Sequence, residues 1–126
     1  MGIVADISDT LLKQRLRNRI IESLDTFSDE EAVKAVGTDE VIEIWYDYMS
    51  DERLSFYDSP VFSPNEINAI KRFHNLLEAT YKKVPDTYRP EELKDNKEWN
   101  DLRVAAKEEL QIFAVRGLFD EENEII

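Results

Sequence analysis

The amino-acid sequence predicts an all-α protein, a single-domain bundle of four to five helices extending over residues 1–126. Three observations lead there. Apolar residues recur at three- and four-residue steps along most of the chain, and no two-residue alternation outlasts them. Helix-start chemistry stands ahead of several of these runs, as Ser28-Asp29-Glu30-Glu31, Ser63-Pro64-Asn65-Glu66 and Asp95-Asn96-Lys97-Glu98. Finally, 126 residues with 42% hydrophobic and 35% charged side chains suffice for one core, and only three Gly and four Pro interrupt them.

The first helix is expected over about 8–26, where Ile7, Leu11, Leu12, Leu16, Ile20 and Leu24 form one stripe. Asp6 or Ser8 can accept from the orphan amides of its first turn. Ser28 then opens a short helix through Ala32, Val33 and Val36, which Gly37 ends. Thr38 starts the next, with Val41, Ile44, Trp45 and Tyr48 in line to about Met49. Leu54, Phe56 and Tyr57 fit a single helical turn, and Pro60 and Pro64 bracket a turn. Ser63-Pro64-Asn65-Glu66 combines an N-cap Ser, an N1 Pro and a capping-box Glu, so a helix must begin there. Its core face is Ile67, Ile70, Phe73, Leu77 and Tyr81, running to about Lys83, with Lys82 and Lys83 complementing the carbonyl end of the dipole. Pro85 to Pro90 connects to the last long helix, where Trp99, Leu102, Ala106, Leu110 and Phe113 share a face until Gly117.

Composition removes several function classes. The absence of cysteine excludes disulfides, thiolate catalysis and Cys-based metal sites, and suits a reducing cytoplasm. The short apolar runs offer neither a transmembrane helix nor a signal segment. No cofactor is expected: the glycines at 2, 37 and 117 form no phosphate loop, and pairs such as Glu43 with Asp47 or Glu108 with Glu109 lack the accompanying spacing of a metal site. His74 has no second histidine to work with and reads as a helix-side residue at the edge of the core. A formal charge of −12 argues against nucleic acid as a direct ligand and for a basic protein partner. Lys13, Arg15, Arg17 and Arg19, at every second position, point to different sides of a helix and read as solvating groups.

The charge is concentrated. Residues 28–66 hold eleven acids against Lys34 and Arg53, and Asp120, Glu121, Glu122 and Glu124 follow at the end of the chain. Glu40, Glu43, Asp47 and Asp51 succeed one another at three- and four-residue steps, so a single helix would carry them on one face. Like charges at that spacing cost on the order of a few tenths of a kcal/mol per pair, so folding gains nothing from the stripe. Tyr46, Tyr48, Phe56 and Tyr57 lie nearby, and aromatic anchors within an acidic rim are the composition of a protein interface. The expected partner-binding residues are therefore Glu40, Glu43, Tyr46, Asp47, Asp51, Phe56, Tyr57 and Asp58. The blander alternative makes the aromatics core and the acids a solvated face.

Across about residues 28–73 the order of these features resembles the small helical immunity proteins that neutralise bacterial nuclease toxins, including colicin-DNase immunity proteins. In that family an acidic helix precedes a one-turn helix carrying Tyr-Tyr-Pro, and a Ser-Pro opens the last helix. Here Ser28-Asp29-Glu30-Glu31, Phe56-Tyr57, and Ser63-Pro64 leading into Ile67, Ile70, Lys71 and Phe73 follow the same order. Phe56 replaces the first Tyr, Asp58 and Ser59 separate Tyr57 from Pro60, and the chain continues well past the last matching helix. The resemblance implies a cytoplasmic, cofactor-free inhibitor, with Tyr57 as an anchor and the acidic helix as a specificity surface. Immunity proteins of contact-dependent inhibition are similarly small and acidic. The functional expectation is thus a non-catalytic protein that binds a basic toxin domain, a nuclease in this reading, and shields its nucleic-acid-binding face. An adaptor that receives a partner helix in an apolar groove is the first alternative, and a small carboxylate enzyme the second.

Overall fold

The computed structural model describes residues 7–125, and these fold as an all-α bundle with no strand among them. Five α-helices follow in order: α1 (Asp9–Ser28), α2 (Glu30–Asp47), α3 (Asp51–Phe56), α4 (Pro64–Thr80) and α5 (Lys97–Ala114). Short 3₁₀ turns at Tyr81–Lys83 and Pro90–Leu93 lead from α4 to α5. α1 packs on α2 and α5, and α4 packs on α5. Among the described residues no helix is long and apolar enough to cross a membrane.

Local chemistry accounts for most boundaries. Ser8 caps α1, its hydroxyl accepting from Leu11 N at 3.1 Å; the alternative cap, Asp6, lies outside the described residues. α4 has the full capping box, Ser63 Oγ accepting from Glu66 N at 3.1 Å while Glu66 Oε1 accepts from Ser63 N at 3.0 Å. The break expected at Gly37 is a kink inside α2, with φ +80 at the glycine and helix resuming at Thr38. Gly117, at φ +71, receives the end of α5, donating its N–H to Phe113 O at 2.9 Å.

Two caps differ from expectation by one residue. Ser28 does not open α2. Phe27 is fully buried, which carries α1 through Ser28, whose hydroxyl turns back to Asp25 O, and Asp29 caps α2 by accepting from Glu31 N at 2.9 Å. At α5 the cap is Asn96, accepting from Trp99 N at 2.7 Å, rather than Asp95.

The core is aromatic at its centre. Phe27 and Trp45 each meet the Phe73 ring edge-on, with centroids 4.9 and 4.8 Å apart, and Trp99 lies 6.0 Å from Phe27. Ile20, Leu24, Ile70, Leu77, Leu102, Ala106 and Phe113 surround them.

α1 buries Leu11, Ile20 and Leu24 of its expected stripe, but its buried face is wider and partly polar. Ile7 is exposed ahead of the cap, and Leu12 and Leu16 are only half-buried, whereas Gln14, Arg17 and Asn18 are buried. Arg17, expected to be solvated, is 0% exposed. Its Nε donates to Glu66 Oε1 at 3.2 Å and its Nη2 to Oε2 at 2.8 Å, while Nη1 reaches Gly117 O at 2.5 Å. Glu66, itself 1% exposed, also accepts from both Nε and Nη2 of Arg116. Burial alone would raise the Glu66 carboxyl, but hydrogen bonds from Arg17, Arg116 and the Ser63 amide, with the Arg17 charge, hold it below the ordinary glutamate range.

Changing Trp99 or Phe113 to Ala should therefore cost about 3–5 kcal/mol in a urea melt, whereas a loss below about 1 kcal/mol for both would mean that α5 packs through another face. Because the Glu66 carboxyl is lowered on folding, its contribution is complete above the unfolded glutamate value of about 4.3 and disappears as pH falls through the folded value. Glu66→Gln should thus flatten the acid limb of a stability-versus-pH curve below about pH 4.3, while leaving an unpaired buried cation that costs about 3–5 kcal/mol at neutral pH.

Candidate functional site

Three of the four acids in the expected stripe share a face. Glu40, Glu43 and Asp47 lie on the second half of α2 at steps of three and four, all exposed, and Asp39 extends the face by one further carboxylate. Asp51 does not belong to it. α2 ends at Asp47 because Tyr48 leaves the helical region, and Asp51 falls in the first turn of α3, where Ser50 caps by accepting from Arg53 N at 3.1 Å. There Asp51 and Glu52 face the positive end of the α3 dipole.

Among the described residues, Asp39, Glu40, Glu43, Asp47, Asp51 and Glu52 make no ion pair. Some acids elsewhere are partnered, Glu31 by Lys34, Asp58 by Lys13 at 2.7 Å, and Glu109 by both Nε and Nη2 of Arg72 at 3.1 Å, whereas others, such as Asp86, Glu91, Asp95 and Glu108, make no ion pair among the described residues. Six carboxylates without a cationic partner among the described residues thus fall between Asp39 and Glu52.

The expected aromatics are placed differently. Tyr57 is 3% exposed, its ring stacked on Phe62 at 4.8 Å and its hydroxyl donating to Tyr48 O at 2.5 Å. Burial pushes its pKa up. It is a core residue that ties the end of α2 to the end of α3, and an anchor role would require it to leave the core. Tyr46 is half-buried against the edges of His74 and Tyr81, with a pKa pushed up to about 12 by burial and then by Glu78 and Tyr81. Phe56 is half-buried beneath the Lys13 ammonium, 4.7 Å from the ring centroid, and Lys13 also holds Asp58. The eight expected residues therefore divide into an acidic face (Glu40, Glu43, Asp47), a helix start (Asp51), a patch tied to α1 (Phe56, Asp58) and two packed tyrosines (Tyr46, Tyr57).

The aromatic that does accompany the acidic face is Tyr88, from the connector before α5. It is 62% exposed, and its ring lies over Gly37, 3.2–3.3 Å from where a Cβ would stand. The connector is fastened at the kink by Thr38, whose hydroxyl donates to Pro85 O at 2.7 Å and accepts from Thr87 N at 3.1 Å, and whose N–H donates to Thr87 O. Val36, Asp39, Glu40, Asp86 and Tyr88 line a shallow depression of about 430 Å³. Three carboxylates beside an exposed ring suit a Lys or Arg side chain, through charge and through the ring face. Gly37 is the one local sign of this arrangement in the sequence.

His74 serves packing: its Nδ1 accepts from Trp45 Nε1 at 3.1 Å, and Nε2 stands 3.4 Å from Glu78. Among the described residues no three His, Asp or Glu side chains converge as a metal site.

The burial of Tyr57 sets a clear expectation. Tyr57→Ala should lose about 3–5 kcal/mol of folding stability, and Tyr57→Phe about 1 kcal/mol for the lost bond to Tyr48 O, both read by denaturant melts. Full stability in Tyr57→Ala would place the ring outside the core. Comparison with known proteins gives no match: no family model, no curated protein and no solved structure matches this chain.

Proposed function

We propose that this protein is a non-catalytic inhibitor of the immunity type, which binds a basic toxin domain, a nuclease in this reading, through the acidic face of α2. The observation that carries the reading is the row Asp39, Glu40, Glu43 and Asp47, exposed, on one face, and without a cationic partner among the described residues. Such a row costs the helix some stability, so an external cationic surface is the natural source of compensation. A site shaped for nucleic-acid phosphate presents Lys and Arg, and carboxylates at helical spacing satisfy the same groups. Tyr88 and Asp86 widen the face, and the exposed ring replaces the anchor that the family resemblance assigns to Tyr57.

The adaptor reading has one observation in its favour. Between α1 and α3 an open groove of about 580 Å³ is lined by Leu12, Leu16 and Phe56, with Ser50, Glu52, Arg53 and Ser55 at its rim. A partner held there by apolar contact would bind nearly independently of salt.

Reversing Glu43 and Asp47 to Lys should slow association with the toxin domain encoded by the adjacent gene roughly tenfold or more at low salt, with the gap closing as ionic strength rises. Stopped-flow association at several salt concentrations measures this, and both substituted sites are exposed, so the helical circular dichroism should not change. Association unaffected at every salt concentration excludes the acidic face, and salt-independent binding abolished by Phe56→Ala favours the groove.

A further inference from the structure

α1 carries a row of polar side chains that neither the hydrophobic core nor the acidic face uses. Gln14, Arg17 and Asn18 are buried at three- and four-residue steps, and they bond mainly to the main chain of the segment after α5. Asn18 engages Phe119 through both main-chain groups: its Nδ2 donates to Phe119 O at 2.8 Å and its Oδ1 accepts from Phe119 N at 2.9 Å, as a neighbouring strand would. Gln14 repeats the pattern one turn earlier, donating to Asp120 O at 2.8 Å and Asn123 O at 2.9 Å and accepting from Ile125 N at 3.0 Å. Arg15 Nε adds a bond to Glu121 O at 2.7 Å.

Two side chains of the segment are read most closely, while Glu122 stands 4.0 Å from Arg15 and Glu124 accepts from the Ser8 hydroxyl. The Phe119 ring lies against the guanidiniums of Arg17 and Arg116, 3.9 and 4.9 Å from its centroid. The Glu121 carboxylate pairs with Arg19 and accepts from Asn18 Nδ2 at 2.9 Å. Leu118 and Ile125 are exposed.

A surface that satisfies main-chain donors and acceptors in register, takes one ring against cations and pairs one following carboxylate recognises an extended peptide. The segment it holds has no helix and leaves α5 through Gly117, where φ is +71 and nothing lies within 4 Å of a Cβ position. We propose that the Gln14–Asn18 face of α1 is a peptide-binding groove, with residues 118–125 as its resident ligand, exchangeable for an extended acidic peptide that carries an aromatic residue two positions before a glutamate. This inference uses residues distinct from the acidic face of α2 and does not depend on the inhibitor reading. A segment with no helix of its own, one ring in the core and Leu118 and Ile125 exposed has few apolar contacts to break and opens by local fluctuation. Attachment in cis gives it an effective concentration on the order of millimolar, which keeps the groove filled until a competing peptide is present.

The test uses a fluorescently labelled synthetic peptide of residues 118–125 and the full-length chain, wild type and Phe119→Ala. The substitution weakens the resident segment and leaves Gln14, Arg17, Asn18 and Arg19 in place. By fluorescence anisotropy the variant should bind the peptide roughly tenfold or more tightly than the wild type, and a peptide with Ala at the Phe119 position should not bind. A folded variant, judged by circular dichroism, that binds no better than wild type overturns the proposal. Hydrogen exchange on the wild-type chain tests the same idea if the variant fails to fold. The amides of Phe119, Asn123 and Ile125 should exchange at least roughly tenfold faster than those of Ile70 and Phe73, through opening of the segment alone. Exchange at the common rate of global unfolding would show that the segment is an inseparable part of the core, and would overturn the groove.

Discussion

The Arg17–Glu66 pair, with Arg116 closing over it, is the constraint from which the rest of the arrangement follows. A guanidinium and a carboxylate withdrawn from water are tolerated only when nearly every donor and acceptor is satisfied. Here Nε and Nη2 of Arg17 take the two carboxylate oxygens and Nη1 takes Gly117 O, while the rings of Phe113 and Phe119 lie 5.2 and 3.9 Å from the guanidinium. Arg116 brings in Pro60 O at 3.1 Å and Val61 O at 2.6 Å, so the loop before α4 is bound to the same cluster. Glu66 also closes the capping box that starts α4. One carboxylate therefore sets where α4 begins, which face α1 turns inward and where the chain leaves α5. Such a cluster adds little net stability over an apolar replacement, but any other register strands a charge, so it specifies one packing.

That specification explains how the net charge is distributed. The acids after Gly117 fall where α1 presents Arg15 and Arg19, and Glu121 and Glu122 are paired there. Within the acidic stretch, Glu66 is neutralised in the core and Asp58 by Lys13. Among the described acids left without a cationic partner, six are gathered on α2 and the first turn of α3. A localised field steers an encounter, whereas the same charge spread evenly would only repel copies of the chain.

The two tyrosines show how packing overrides composition. The sequence places Tyr57 beside acids and so within the chemistry of an interface. Yet α3, about one and a half turns long, fully buries none of its own side chains, and the ring just past its end supplies that contact by stacking on Phe62 and bonding to Tyr48 O. Tyr88 goes the other way: Thr38 secures the connector at the kink, and the ring is left lying on Gly37 in the open.

Local chemistry was legible in the sequence. The capping box at Ser63, the left-handed glycines at 37 and 117, and the core stripe Trp99, Leu102, Ala106 and Phe113 depend on residues within a few positions of one another, and short-range sterics and hydrogen bonding decide them. The exposed face Glu40, Glu43 and Asp47 was legible for the same reason, since helical period alone aligns it. Which of Lys13, Arg15, Arg17 and Arg19 turns inward was not, because the choice depends on a carboxylate 49 positions away and a carbonyl 100 positions away. Neither the tail on Gln14 and Asn18 nor the ring of Tyr88 over Gly37 leaves a periodic trace, since each joins segments distant in the chain through main-chain bonds that any residue type can make. The sequence by itself determined the helices and the alignment of Glu40, Glu43 and Asp47 on one exposed face. The tertiary structure decided which polar groups were buried, because desolvating a charge is possible only where partners from several elements meet.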